Sequence, residues 1–305
     1  MQTTNGSSAA AGQGAGARWE IPPQIGIRLH DTAPGTPEER LHAARAQGFT
    51  CVHLALSKLP GLTAQSDALT PGYALYLKHM CDREQLDIPL LGCYLNLAHP
   101  DADELAKIRE RYVAHLRFAA ALGCGMVGTE TGAPNAAYKY DPERSHSEEA
   151  LEIFLRGLEP VVRAAERFGV LMAIEPVYKH IVWNPRVARR ALDSIASPNL
   201  RIIFDPVNLL HPDNLERREE VIEEAIDLLG PDIAMIHLKD YKVEGTEMPC
   251  MACGLGEMDY RRVLRFAREK KPGIHMTMEN TKPENAETAR KFIEQLYLEE
   301  DGRSL

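Results

Sequence analysis

The stretches VLMAIE (170–175), RIIFD (201–205), IAMIHLK (233–239) and IHMTMEN (274–280) decide the fold of this chain. Each is a short apolar run with an ionisable residue at its C-terminal tip: Glu175, Asp205, His237 and Glu279. Working back towards the N-terminus, QIGIRLH (24–30), TCVHLAL (50–56), PLLGCYLNL (89–97) and GMVGTE (125–130) read as four earlier strands. Longer segments of helical period separate all eight, which predicts repeated βα units and no hairpin. Asp101 and Glu104 form a helix-start pair, Leu105, Ile108, Tyr112, Leu116 and Ala119 follow as an apolar stripe, and Gly123 closes that helix. Gly169 and Gly230-Pro231 are further stop signals. The fold class is therefore α/β, with eight units closing into a single (β/α)8 TIM barrel. A doubly wound open sheet would require a glycine-rich fingerprint after the first strand, and HDTAPGTPEER (30–40) has none.

Composition agrees with one large domain. The chain has 305 residues, 44% hydrophobic and 26% charged, enough to bury a substantial core. The expected boundaries are a disordered Gly/Ala/Ser leader over residues 1–20 and the barrel over residues 21–300. The leader lacks the basic and apolar regions of a secretory signal, and no apolar run approaches the roughly 18 residues of a membrane span. A net charge of −9 argues against nucleic acid and against an anionic membrane as partners. Six scattered cysteines in a chain of this size fit a reducing cytoplasm. Self-association is left open.

Strand parity places the four tips on one surface. Residues two apart share a face, so Glu175 lies with Ala173, His237 with Met235, and Glu279 with Thr277, while Met276 and Met278 face the helices. All four ionisable groups are expected in the barrel mouth, the C-terminal face on which such barrels carry their active sites. Three converging carboxylates repel one another unless protons or a cation compensate, and a divalent metal does so directly. One imidazole with three carboxylates suits manganese, magnesium, cobalt or zinc in an oxygen-rich site. Each ligand falls one βα unit after the last, the final interval being lengthened by EGTEMPCMACGLGE (244–257).

The tips AIEPV (173–177), IFDPVNL (203–209), MIHLKDY (235–241) with GLGEMDY (254–260), and TMENT (277–281) resemble the last four strands of the sugar phosphate isomerase/epimerase family, the xylose-isomerase-like TIM barrels. GCYLNLAHPD (92–101) and ALGCGMVGTETG (121–132) are similar to its third and fourth strands. The resemblance implies one divalent metal, often manganese, held by Glu175, Asp205, His237 and Glu279, with Glu175 and Glu279 as acid and base on opposite faces of a carbohydrate substrate. The implied activity is isomerisation or epimerisation of a ketose or related keto-sugar by proton abstraction beside a carbonyl, through a metal-stabilised enediolate. A carbon–oxygen lyase of the inosose-dehydratase kind is the alternative, followed by an apurinic-endonuclease-like enzyme and a non-enzymatic sugar-binding barrel. Asn208 stands where ketose 3-epimerases of the family usually carry histidine, and LKDYKVE (238–244) replaces their Gly-Glu-Asn-Arg run. GTETG (128–132) lacks the histidine of the endonuclease branch.

Further substrate-binding candidates follow from position. Lys239 shares the face of His237; His30, His53 and Asn96 sit near the ends of the first three strands; Asn208 and Trp183 lie in the loops after the sixth and fifth. Asp240 has the opposite parity and is expected to partner a helix or a loop. GLGE (254–257) is expected as a tight turn, with a backbone phosphate cradle as the alternative.

Overall fold

The computed structural model describes residues 21–299, and the leader expected over residues 1–20 lies outside the described residues. Eight parallel strands form a closed barrel: β1 (Gln24–Arg28), β2 (Cys51–Leu54), β3 (Asp87–Gly92), β4 (Met126–Glu130), β5 (Leu171–Glu175), β6 (Leu200–Phe204), β7 (Ile233–Leu238) and β10 (His275–Met278). The helices between them are α1 (Pro37–Ala46), α2 (Pro71–Arg83), α3 (Ala102–Leu122), α4 (Glu148–Phe168), α5 (Pro185–Ile195), α6 (Arg218–Leu229), α7 (Arg261–Lys270) and α8 (Ala286–Glu299). The barrel closes by pairing β1 with β10, Gly26 opposite Thr277.

Local chemistry fixes the helix ends. Thr36 and Glu39 form a reciprocal capping box at α1, and the Asp101 carboxylate accepts the amides of Asp103 and Glu104 at 3.0 and 2.9 Å. Gly123 and Gly169 terminate α3 and α4 in the left-handed conformation that glycine adopts without steric cost.

Strand parity divides the core in two. Outward residues such as Ile27, Val52, Met172, Ile174, Ile236, Met276 and Met278 pack against the helices. Leu90, Met126, Ala173, Ile203 and Met235 form a separate buried cluster within the barrel. Gly128 keeps that interior from overfilling, since a Cβ there would lie 2.6 Å from Ile203 Cδ1. The inner layer supports the floor beneath the ionisable tips.

The first two strands are shorter than expected, ending at Arg28 and Leu54, and two larger features depart from the sequence reading. The third strand begins two residues earlier than expected, at Asp87, and ends at Gly92, so residues 93–97 are loop. Tyr112 imposes this ending: its hydroxyl lies 2.7 and 2.9 Å from the carbonyl oxygens of Cys93 and Leu95, shares its one proton between them and accepts the Leu95 amide at 3.1 Å, drawing that segment onto α3. The insertion after β7 also contains a two-stranded antiparallel hairpin, β8 (Asp240–Tyr241) with β9 (Cys250–Met251), where no hairpin was expected. No helix among the described residues is long and apolar enough to cross a membrane.

Candidate metal centre and active site

Glu175 ends β5, Asp205 follows β6, His237 is the penultimate residue of β7, and Glu279 follows β10. One ligand atom from each lies within 4.8 Å of the others, and all four residues are buried. The imidazole stands between the two glutamates, with Nδ1 3.2 Å from Glu175 Oε1 and 3.3 Å from Glu279 Oε1. Asp205 is locked by its own loop, its Oδ1 accepting the amides of Val207 and Asn208 at 2.9 and 3.1 Å. Asn208 also donates its side-chain amide to Glu175 Oε1 at 2.7 Å, tying the tips of β5 and β6 together.

Lys239 reaches into the same cluster. Its Nζ lies 3.0 Å from Asp205 Oδ2 and 3.1 Å from Glu279 Oε2. Arg28 approaches Glu279 Oε1 at 3.4 Å and donates to Asp31 Oδ2 at 2.8 Å. These charges set the protonation states. Burial works against the Lys239 ammonium, but Asp205 and Glu279 outweigh it and raise its pKa. Burial would likewise raise Glu279, yet Lys239, then His237 and Arg28, hold it well below the usual carboxylate range. Burial pushes Asp205 up to about 6 against the pull of Lys239. His237 is raised to about 9, because Glu175 and Glu279 overcome the penalty of burial.

A divalent cation fits this donor set. Three carboxylates and an imidazole bring ligand atoms within 4.8 Å of one another, and Asp205 Oδ2 and His237 Nε2 are buried without a hydrogen-bond partner among the described residues. Among the described residues, Asp205 Oδ2 makes an ionic contact with Lys239 alone. The oxygen-rich set is that of a hard or borderline ion.

The remaining sequence-predicted residues divide by location. His53 is buried, its ring stacked on His237 at 5.5 Å, and it forms a second close group with His237 and Glu279. His30 lies in a short 3-10 turn beyond β1, edge-on to His53 at 6.3 Å. Asn96 instead braces a loop: its amide donates to the carbonyls of Ala133 and Asn135, both at 2.9 Å, and its oxygen accepts from the Ala98 amide. Trp183 stacks on His146 at 4.4 Å and lines a neighbouring cavity of about 570 Å³ with Tyr178, Asn184 and Leu209; the four clustered ligands do not line it.

Asp240 settles the turn at 254–257. Its Oδ2 accepts the amides of Gly254 and Gly256, both at 3.0 Å, and its Oδ1 that of Met258 at 2.9 Å. Those amides are turned inward on a carboxylate, so the turn is a structural one. Cys250 and Cys253 are free, the first exposed and the second buried.

The sequence reading missed Arg28 and Tyr94. Arg28 alternates with the helix-facing Ile25 and Ile27, a parity signal that was available. Tyr94 shares the parity of Leu90, which lies inside the barrel, and of Asn96, so the same signal was available there. Glu130, on β4 beside Glu175, is raised to about 7 by burial and by Glu175 and Glu279, and its Oε2 lies 3.5 Å from the Tyr138 hydroxyl.

Solved structures with this architecture include a xylose isomerase domain protein from Planctomyces limnophilus, with TM-score 0.71 and 16% identity, covering 93% of this chain and 99% of that one. A D-tagatose 3-epimerase-like protein aligns with TM-score 0.71 and 18% identity over 92% and 98% of the two chains. A probable 3-DHS dehydratase, AsbF, from Bacillus anthracis aligns with TM-score 0.68 and 13% identity over 90% and 98%. At these identities the likeness is one of fold. No curated protein matches the chain in sequence. The family described as xylose isomerase-like TIM barrel matches residues 41–296, and this chain belongs to that family.

Proposed function

We propose that the protein is a divalent-metal-dependent isomerase or epimerase acting on a ketose or related keto-sugar. The observation that carries this reading is the buried convergence of Glu175, Asp205, His237 and Glu279 within 4.8 Å. In this reading those four residues hold the ion, manganese being expected ahead of magnesium, cobalt or zinc. A bound cation would polarise a substrate carbonyl and make the adjacent carbon-bound proton more acidic.

The chain's own groups then handle the proton. Glu175 and Glu279 flank His237 and are held by different partners, Glu175 by the Asn208 amide and Glu279 by Lys239 and Arg28. One carboxylate takes the carbon-bound proton and the other returns one. Return to the opposite face of the same carbon gives an epimer, and return to the neighbouring carbon gives an isomer. Lys239 is positioned to steady negative charge on a substrate oxygen beside Glu279. Asn208 orients Glu175, His30 is a candidate for contact with the rest of the sugar, and Trp183 is one for any part of it that extends into the neighbouring cavity. A carbon–oxygen lyase is the second reading, favoured by Glu130, a further carboxyl beside Glu175 available to protonate a leaving hydroxyl.

The test is solvent exchange. The metal-loaded protein is incubated in deuterated water with ketoses, ketose phosphates and keto-inositols, alongside Glu175→Gln and Glu279→Gln. Deuterium beside the carbonyl supports isomerase or epimerase chemistry, and a product lighter by one water supports the lyase. Turnover unchanged in both variants would overturn the assignment of the two glutamates.

A further inference from the structure

The side chains of His53, within β2, and of Tyr94, past the end of β3, have no part in the proton transfer described above. Tyr94 lies two residues past Gly92, and its hydroxyl is 2.9 Å from Nε2 of His53. Its ring stands 6.0 Å from that imidazole, which in turn stacks on His237 with planes 16° apart. Glycine at 92 makes room for the pair, because a Cβ there would lie 2.7 Å from both His53 Nε2 and Tyr94 Cε2. The phenol is also within electrostatic reach of Glu175, Glu279, Glu130 and Arg28, so it belongs to the barrel mouth.

The direction of the His53–Tyr94 hydrogen bond follows from burial. His53 is inaccessible to solvent, and its Nδ1 has no hydrogen-bond partner among the described residues. A neutral imidazole carries one ring proton. On Nδ1 that proton would make a buried, unsatisfied N–H, a rare and costly state; on Nε2 it is donated to the tyrosine oxygen. The Tyr94 oxygen then accepts from His53, and its own O–H is left to donate elsewhere.

We infer that Tyr94, oriented by His53, is a substrate-recognition residue that donates a hydrogen bond to an oxygen of a polyhydroxy compound bound in the mouth. The inference rests on the carbohydrate reading above, but its test does not require turnover. Gly92 and His53 act through it, the first by leaving space and the second by fixing the direction of the hydroxyl.

Xylitol serves as the probe, titrated calorimetrically into manganese-loaded wild-type protein, Tyr94→Phe, His53→Leu and the double variant. Tyr94→Phe keeps the ring and should weaken xylitol binding about three- to tenfold, the range of one hydrogen bond, with metal stoichiometry unchanged. His53→Leu should weaken it comparably, and the double variant should add little, because both changes remove one interaction. A metal-affinity titration and a thermal midpoint separate this from loss of fold. Equal xylitol affinity in wild type and Tyr94→Phe, no xylitol binding by the wild type, or loss of metal in Tyr94→Phe would each overturn the inference. Additive losses in the double variant would overturn the orienting role of His53. Absence of deuterium exchange with xylitol binding preserved would instead overturn the proposed reaction and leave Tyr94 in place.

Discussion

The two halves of the barrel mouth are built differently. On the half formed by β5, β6, β7 and β10, the ionisable side chains come from the strand tips themselves and are all buried. On the half formed by β1 to β4, Arg28, His53 and Glu130 come from strands but His30, Tyr94 and Asn96 lie beyond them, and His30, Tyr94 and Glu130 keep part of their exposure. Strand tips inherit their spacing from the rigid hydrogen-bonded sheet, whereas residues past the tips take theirs from loop contacts such as those of Asn96 and Tyr112. The difference teaches that a site needing several charges at ligand distance is placed on strands. The more open half suits contacts that vary with the substrate.

Substitution on the strand-built half should have the largest effect. Glu279→Gln or Asp205→Asn should lower turnover by about 10³-fold or more, since in the proposed site each carboxylate supplies both a charged ligand and negative charge next to the reacting atoms. Metal content by elemental analysis should fall in parallel, and a fully active variant with normal metal content would abolish the contrast between the halves. Chelation comes next. A cation that binds only the folded protein at 100 times its dissociation constant contributes about 2.7 kcal/mol, so its removal should lower the thermal midpoint by several degrees. Calorimetry with and without a chelator checks this, and an unchanged midpoint would count against a cation in the cluster.

Asn208→Ala tests the link between two tips. It removes the 2.7 Å hydrogen bond to Glu175 and should cost about 10- to 100-fold in metal affinity or turnover, as loss of an outer partner of a ligand typically does. The smallest effect is expected on the loop-built half. Asn96→Ala should raise KM about two- to tenfold through a loosened loop at 131–135, with kcat almost unchanged. Steady-state kinetics separates the two constants, and a collapse of kcat in Asn96→Ala would mean that this half takes part in the chemistry.

Legibility in the sequence follows the same division. Parity along IHMTMEN (274–280) correctly sends Met276 and Met278 to the helices, and they pack there. It works because the pleat alternates with a period of two whatever the rest of the molecule does. The boundary of β3 was misread because the apolar run continues through Leu97, while the strand ends where Tyr112 captures the backbone. Asn96, taken from that run as a strand-end residue, consequently has its amide directed to the 133–135 loop. The hairpin after β7 was invisible because its pairing is short, and the turn that follows it is held by one carboxylate, Asp240, accepting amides more than a dozen residues away.

By itself the sequence determined the order of strands and helices, the inward parity of Glu175, Asp205, His237 and Glu279, and the need for something to compensate three clustered carboxylates. These are local properties of apolar spacing and charge. Only the tertiary structure decided that the four tips meet within 4.8 Å, that Lys239 bridges Asp205 and Glu279, that the amides of residues 254–258 close on Asp240, and that Tyr94 meets His53. Those contacts depend on the closure of β1 against β10 and on loops folding across the mouth, and no local pattern fixes distances between residues so far apart along the chain.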